Sequence, residues 1–197
     1  MWKRLCIISL CLTVFAACDD EEENYPSIIS EFVEIQSDKD GRLFQFTTDK
    51  GQTYHITNTL TGYDPLTIYR IICGYVPKAD EATIYQLTTV EMLRDSTAVA
   101  VHDPIGVQSV WHSGEYINMQ LAPLTQGGTH FWGYVIDSIT PGHLFLSLHH
   151  NQLDDPTSYT ENVYASIYLP YIAGYQNDDS ITLTIETFGG TKQYQMK

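Results

Sequence analysis

The chain has 197 residues, 43% hydrophobic, 17% charged and 12% aromatic, with 24 Asp and Glu against 10 Lys and Arg for a formal charge of −14. That much apolar content with so little charge excludes a disordered chain, and no series of ~20-residue apolar runs marks a polytopic membrane protein. The acidic balance disfavours a polyphosphate or nucleic-acid partner, and the length admits one domain or two small ones.

Lys3 and Arg4 form a short basic head, and Leu5–Phe15 is an apolar run too short to cross a hydrocarbon layer of roughly 30 Å as a helix. Residues 1–17 read as a signal peptide. Ala16-Ala17-Cys18 resembles the lipobox of bacterial lipoproteins, which implies cleavage before Cys18 and acylation of that cysteine. The alternative is an ordinary secretory signal that leaves Cys18 as a spare thiol. Asp19-Asp20-Glu21-Glu22-Glu23 follows at once, and five adjacent carboxylates repel one another and resist burial. Residues 18–27 are therefore expected to form an extended acidic tether. An acidic run in this position resembles the surface-export signal of Bacteroidota lipoproteins; a solubilising spacer would look the same. Several acyl chains on one cysteine give durable attachment, so the expected address is the outer membrane, lipid-anchored at Cys18 and exposed at the cell surface. Without residues 1–17 the chain carries 8 Lys and Arg against 24 Asp and Glu, or −16. Cys73 is then the one cysteine left in the folded region, which rules out an intramolecular disulfide. Its apolar setting in Ile71-Ile72-Cys73 predicts a buried, inert thiol.

From Ile28 onward short runs rich in Ile, Val, Thr, Tyr and Phe alternate with Gly, Asp, Asn and Pro, which predicts an all-β chain. In the first half the candidate strands are Ile29–Gln36, Arg42–Thr48, Gln52–Thr57, Thr67–Val76 and Thr83–Arg94. Asp40-Gly41 and Lys50-Gly51 fall between neighbouring runs, where glycine allows tight hairpins. Five strands that begin in hairpin succession suit a small barrel over residues 28–100. Strand pattern lapses near Ala98–Pro104. Seven more runs follow in residues 101–197: Val107–His112, Glu115–Leu121, Thr129–Asp137, His143–His150, Val163–Leu169, Ser180–Thr187 and Thr191–Met196. Period-two alternation puts Ile117, Met119 and Leu121 on one face, and likewise Leu144, Leu146 and Leu148, and Ile181, Leu183 and Ile185. The opposite faces are expected to be wet or contacted. This second set predicts an antiparallel β-sandwich.

The order of lipobox, acidic tether and five-strand segment is followed by Asp103-Pro104-Ile105-Gly106, Trp111 and Gly114-Glu115-Tyr116-Ile117-Asn118-Met119. Then come Leu144-Phe145-Leu146-Ser147-Leu148-His149-His150-Asn151 and the Ile181–Ile185 strand before Gln193-Tyr194. This succession resembles the NigD-like lipoproteins of Bacteroidota. The resemblance implies an oligonucleotide/oligosaccharide-binding (OB)-type barrel followed by a β-sandwich, and it brings no catalytic motif. The family takes its name from a bacteriocin gene cluster, which makes a bacteriocin-associated accessory or immunity role one alternative.

Six of seven histidines lie in the second half, yet His149 and His150 are adjacent on one strand and must face opposite ways. No HExxH, CxxC pair or HxH spacing occurs, so neither a metal nor a cofactor is expected. A site assembled from His112, Glu115 and His149 across strands would be the exception, and would make the protein a metal-assisted hydrolase. Ser113 lacks a GxSxG elbow and reads as a turn residue. Asp154-Asp155 and Asp178-Asp179 read as solvated loop pairs. Tyrosine is abundant at 14 residues, and rings with few rotamers to freeze suit sugar faces or protein partners. Tyr159, Tyr171 and Tyr175 are the candidate ligand-binding residues, whereas Tyr164, Tyr168, Trp111 and Trp132 are expected to fill the sandwich. Between Arg94 and Lys192 there is no Lys or Arg, so the barrel has no adjoining basic track for a phosphate backbone. The sequence thus predicts a non-enzymatic surface module that binds a glycan or a protein.

Overall fold

The computed structural model describes residues 27–197; the signal peptide, Cys18 and the acidic run lie outside them. The barrel is built from β1 (Ile29–Ser37), β2 (Leu43–Thr48), β3 (Thr53–Ile56), β4 (Ile68–Lys78) and β5 (Glu81–Thr89). Hairpins join β1 to β2 and β2 to β3, each turned by a glycine with positive φ, Gly41 at 72° and Gly51 at 80°. The sheet closes in the order β1-β2-β3-β5-β4, with β3 parallel to β5 and β4 returning to β1. This is the five-stranded Greek-key closure expected of an OB-type barrel. Alternation along β1 sends Val33 and Ile35 inward with Leu43, Phe46, Cys73, Tyr75 and Ile84. The Cys73 thiol is fully buried, and burial, with Glu31 adding, pushes its pKa up to about 12.

The run Thr83–Arg94 is three strands rather than one. β5 ends at Thr89 in the barrel, while β6 (Glu91–Met92) and β7 (Arg94–Asp95) hydrogen-bond into the two sheets of the sandwich. These sheets continue with β8 (Gly106–Ser113), β9 (Tyr116–Ala122), β10 (Leu124–Thr125), β11 (Phe131–Thr140), β12 (His143–Asn151), β13 (Tyr159–Thr160), β14 (Val163–Tyr168), β15 (Ser180–Thr187) and β16 (Gly190–Met196). One sheet has the order β16-β15-β12-β11-β7, the other β6-β14-β9-β8, and β10 pairs with β13 at the end of the second. The hairpins are antiparallel, whereas β12 runs parallel to β15 because the chain crosses to the other sheet through β14 before returning.

Ile117, Met119, Leu121, Leu144, Leu146, Leu148, Ile181, Leu183 and Ile185 are buried together between the sheets, as their alternation predicts. Among the described residues no helix is long and apolar enough to cross a membrane.

The outward face of β9 is the main departure from the expected pattern. Tyr116 and Asn118 point away from the sandwich core, yet they are 7% and 0% exposed because the barrel covers them. Tyr164, Tyr168 and Trp111 share this face. The expectation that they fill the sandwich is corrected: Phe32 of β1 packs edge-on against Trp111 at 5.3 Å and Tyr164 at 6.2 Å, while Tyr168 packs on Tyr116 at 5.0 Å. Local alternation assigns a residue to a face, but the cover on that face comes from a distant strand.

Candidate functional site

The seam between barrel and sandwich is organised by Arg70 of β4, whose side chain is 2% exposed. Both terminal nitrogens donate to Asp49 in the β2–β3 turn, at 2.5 and 2.9 Å. Nη2 also donates to Asn118 Oδ1 at 3.0 Å. Asn118 Nδ2 donates to Asp49 at 3.2 Å, and its oxygen accepts from Ser166 at 2.7 Å, so one buried network crosses from barrel to sandwich. The guanidinium also sits 3.7 Å over the Tyr116 ring, and the Tyr116 hydroxyl donates to Glu34 of the barrel. Burial and the Glu34 carboxylate push the Tyr116 hydroxyl well above its ordinary range, so it stays a donor at physiological pH.

An aromatic row leads outward from this seam. The ring of Tyr168 lies between Tyr116 and Tyr171, and it meets Tyr171 edge-on at 4.8 Å and 89°. Tyr168 donates from its hydroxyl to Glu115 at 3.2 Å. Tyr171 is 82% exposed on a short 3-10 turn, Leu169–Tyr171, whose flanks Leu169 and Ile172 are buried.

The three candidate tyrosines do not form one site. Tyr175 packs half-buried against the sandwich core, and burial, with Asp179 and Asp178 nearby, raises its pKa. Tyr159, on β13, is exposed at the opposite end of β14 from Tyr171. Its hydroxyl lies beside Gly127, at one edge of an open cleft of about 540 Å³ between residues 126–129 and 153–156.

Beneath that cleft lies a chain of buried side chains whose members follow no motif spacing in the sequence. His130 Nε2 is 2.9 Å from Asp155 Oδ2, His130 Nδ1 is 3.0 Å from His150 Nε2, and His150 Nδ1 is 3.0 Å from the Asp103 carbonyl. Trp132, directly across from His150 in the β11–β12 pairing, stacks on it at 4.4 Å and 15°. Asp155 also accepts from the Thr125 hydroxyl and the Gln126 amide, and these donors, Thr125 first, hold its carboxyl below the usual carboxylate range against the opposing effect of burial. Burial lowers the pKa of His150. Three ring contacts made together need three N–H groups, one more than two neutral imidazoles carry. All four ring nitrogens of His130 and His150 are engaged in these contacts. No ring nitrogen of the pair is left free to act as a general base. Asp155 is therefore a structural anchor rather than a solvated loop residue: the donors of the 125–130 segment converge on it.

A clue to this chain is present in the sequence. The inward alternation of Leu144, Leu146 and Leu148 continues to His150, which places a polar ring in a core register and calls for a partner.

His112, Glu115 and His149 are not brought together. His149 Nδ1 accepts from the Val101 amide at 2.9 Å on the five-stranded sheet, whereas His112 and Glu115 belong to the other sheet and its β8–β9 turn. Among the described residues no group of three or more His, Cys, Asp or Glu is arranged to hold a metal ion.

Gly128 lies against Asp155, and a Cβ there would fall 2.5 Å from the carboxyl carbon. Gly128→Ala is expected to displace Asp155 and lower the thermal midpoint. Gly142→Ala, where a Cβ meets nothing within 4 Å, reports only the cost of a positive φ and serves as the calorimetric control.

The family described as NigD-like C-terminal beta sandwich domain matches residues 88–197, more than half of the chain, beginning just ahead of β6. A search of curated proteins finds no match. Among solved structures, the fold is similar to a NigD-like immunity protein from Bacteroides caccae, at 24% identity over 86% of this chain and 93% of that one, with a TM-score of 0.69. It is also similar to a protein from Parabacteroides distasonis described as toxin-related, at 13% identity over 86% and 92%, TM-score 0.68. A third, from Bacteroides fragilis and described as a lipoprotein, is 17% identical over 87% and 98%, TM-score 0.62. At these identities the solved structures establish a shared fold. The residues matched, the sandwich they build and the barrel ahead of it agree: the chain belongs to the NigD-like family.

Proposed function

We propose that this protein is a lipid-anchored, non-enzymatic accessory protein of the outer membrane that presents its sandwich to a protein or peptide partner at the cell surface. The observation that carries this reading is the Leu169–Tyr171 turn, which holds a large aromatic ring in solvent on two buried anchors. An exposed ring on a rigid support is suited to recognition, because little side-chain freedom remains to be lost on binding. The histidines and carboxylates with catalytic potential point the other way: His130, His150 and Asp155 are engaged with one another and with the backbone. The Bacteroides caccae protein is described as an immunity protein and the Parabacteroides distasonis protein as toxin-related, and both descriptions support an accessory or immunity role. Deleting the gene is expected to change the sensitivity of the cell to secreted antibacterial peptides; unchanged sensitivity rejects that role. A glycan partner is the second reading, favoured by exposed Tyr159 beside the open cleft. Under it, deletion impairs growth on one class of polysaccharide instead.

The anchor has its own test. Cys18→Ser is expected to move the protein from the membrane fraction to the soluble fraction and to remove the acyl mass from its N-terminal peptide. A Cys18→Ser protein that still sediments with membranes would overturn the lipid attachment.

A further inference from the structure

We infer that the corner formed by Tyr168, Tyr171 and Glu115 is a seat for a basic side chain, the guanidinium or ammonium group of an arginine or lysine on a peptide partner. The inference rests on the partner-binding reading above and names the chemistry of its contact point. Two rings at 89° with centroids 4.8 Å apart enclose an angle rather than offering the flat platform that a sugar ring lies on. The Glu115 carboxylate is held at the tip of the Tyr168 ring by its hydroxyl. Ring faces carry negative quadrupole charge, so the largely exposed Tyr171 ring and a carboxylate on its neighbour together favour a cation.

The corner is preorganised. Pro170 fixes the turn, the Leu169 amide donates to the Glu115 carbonyl at 3.0 Å, and the Ile172 amide closes on Leu169 at 2.9 Å. The same aromatic row seats a guanidinium at its inner end, where Arg70 lies over Tyr116, the ring next to Tyr168. Charge complementarity supplies the partner's sign: residues 95–191 contain ten Asp and Glu and no Lys or Arg. Arg94, Lys192 and Lys197 lie in or beside the other sheet, so a cationic segment approaching β14 meets no Lys or Arg from the strands of its own sheet, which favours the encounter.

The test uses the full chain in detergent and a labelled arginine-glycine repeat peptide, read by fluorescence anisotropy at low and physiological salt. A citrulline-glycine peptide, alike in shape but uncharged, is the comparison. The arginine peptide is expected to bind at least about tenfold more tightly than the citrulline peptide. Tyr171→Ala and Glu115→Gln are each expected to weaken it about 3- to 10-fold. Tyr171→Phe, which keeps the ring, is expected to retain binding, and Asp154→Asn, at the other end of β14, to leave it unchanged. An unchanged thermal midpoint for Tyr171→Ala separates lost contact from lost folding, since the ring is 82% exposed. Equal binding of the two peptides, no binding of the arginine peptide, or full binding by Tyr171→Ala overturns the inference. A neutral maltooligosaccharide that binds the parent but not Tyr171→Ala also overturns it, by making the corner a sugar site. None of these results decides the partner reading itself, which fails separately if the deletion strain shows no change in sensitivity and no growth defect.

Discussion

Replacing Arg70 with methionine is expected to destabilise the protein by about 3–5 kcal/mol, the usual cost of removing one member of a buried ion pair. For a protein of this size that is a fall in thermal midpoint of roughly 6–20 °C. The cost arises from what remains. Asp49, 8% exposed, loses both guanidinium hydrogen bonds, and Asn118, fully buried, loses a donor to its oxygen. Tyr116 loses the cation over its ring. The double variant Arg70→Met with Asp49→Ala is expected to recover part of the loss, because it leaves no unpaired charge in the seam. A double-mutant cycle by urea denaturation checks this. If the single Arg70 variant loses less than about 1 kcal/mol, the network contributes no more than a surface ion pair does.

His150→Ala is expected to cost about 2–4 kcal/mol, because it empties a buried ring site and leaves His130 Nδ1, the Asp103 carbonyl and the face of Trp132 without their partner. The same residue sets an acid response. The folded-state pKa of His150 lies below its unfolded value near 6.5, so its contribution is fully present above that pH and is lost as pH falls through the folded value. Burial is the largest cause, and with His130 and His149 it outweighs Asp103, which favours a charge there. Asp155, whose folded pKa also lies below its unfolded value, contributes stability above about pH 4 that is lost in stronger acid. Stability of the parent is thus expected to fall as pH drops below 6.5 and to fall again below about 4, and His150→Ala should remove the first of these slopes. Chemical denaturation at half-unit pH steps measures both. An unchanged slope in the variant would mean that the acid response arises at another group.

Much of this molecule could be read from one-dimensional pattern. The alternating runs around Ile117, Leu146 and Leu183 mark an inward face, because the pleat sends every second side chain the same way and burial selects the apolar set. Gly41 and Gly51 mark their hairpins because positive φ is cheap only for glycine. β6, β7, β10 and β13 carry no such signal, because each is two residues long and has no room for a period. The tyrosines are not sorted by local pattern either. Tyr164 and Tyr168 have good strand propensity, but propensity does not say which of two covered faces a strand residue joins.

The residues of the seam and the histidine chain lie far apart in sequence. Arg70 and Asn118 are 48 positions apart, Glu34 and Tyr116 are 82, and the pairing of β11 with β12 is what sets Trp132 over His150. What the sequence alone determined is the all-β character, the inward faces, the tight turns and the acidic balance, since each follows from neighbours within a few residues. What only the tertiary structure decided is that a face of β9 read as wet or contacted is sealed by a barrel strand, that Asp155 is a buried anchor, and that Tyr171 alone among the candidate rings stands largely free on a fixed turn. Those outcomes depend on which distant surfaces meet, and the energy of that meeting is distributed over hydrogen bonds and ring contacts that no local period encodes.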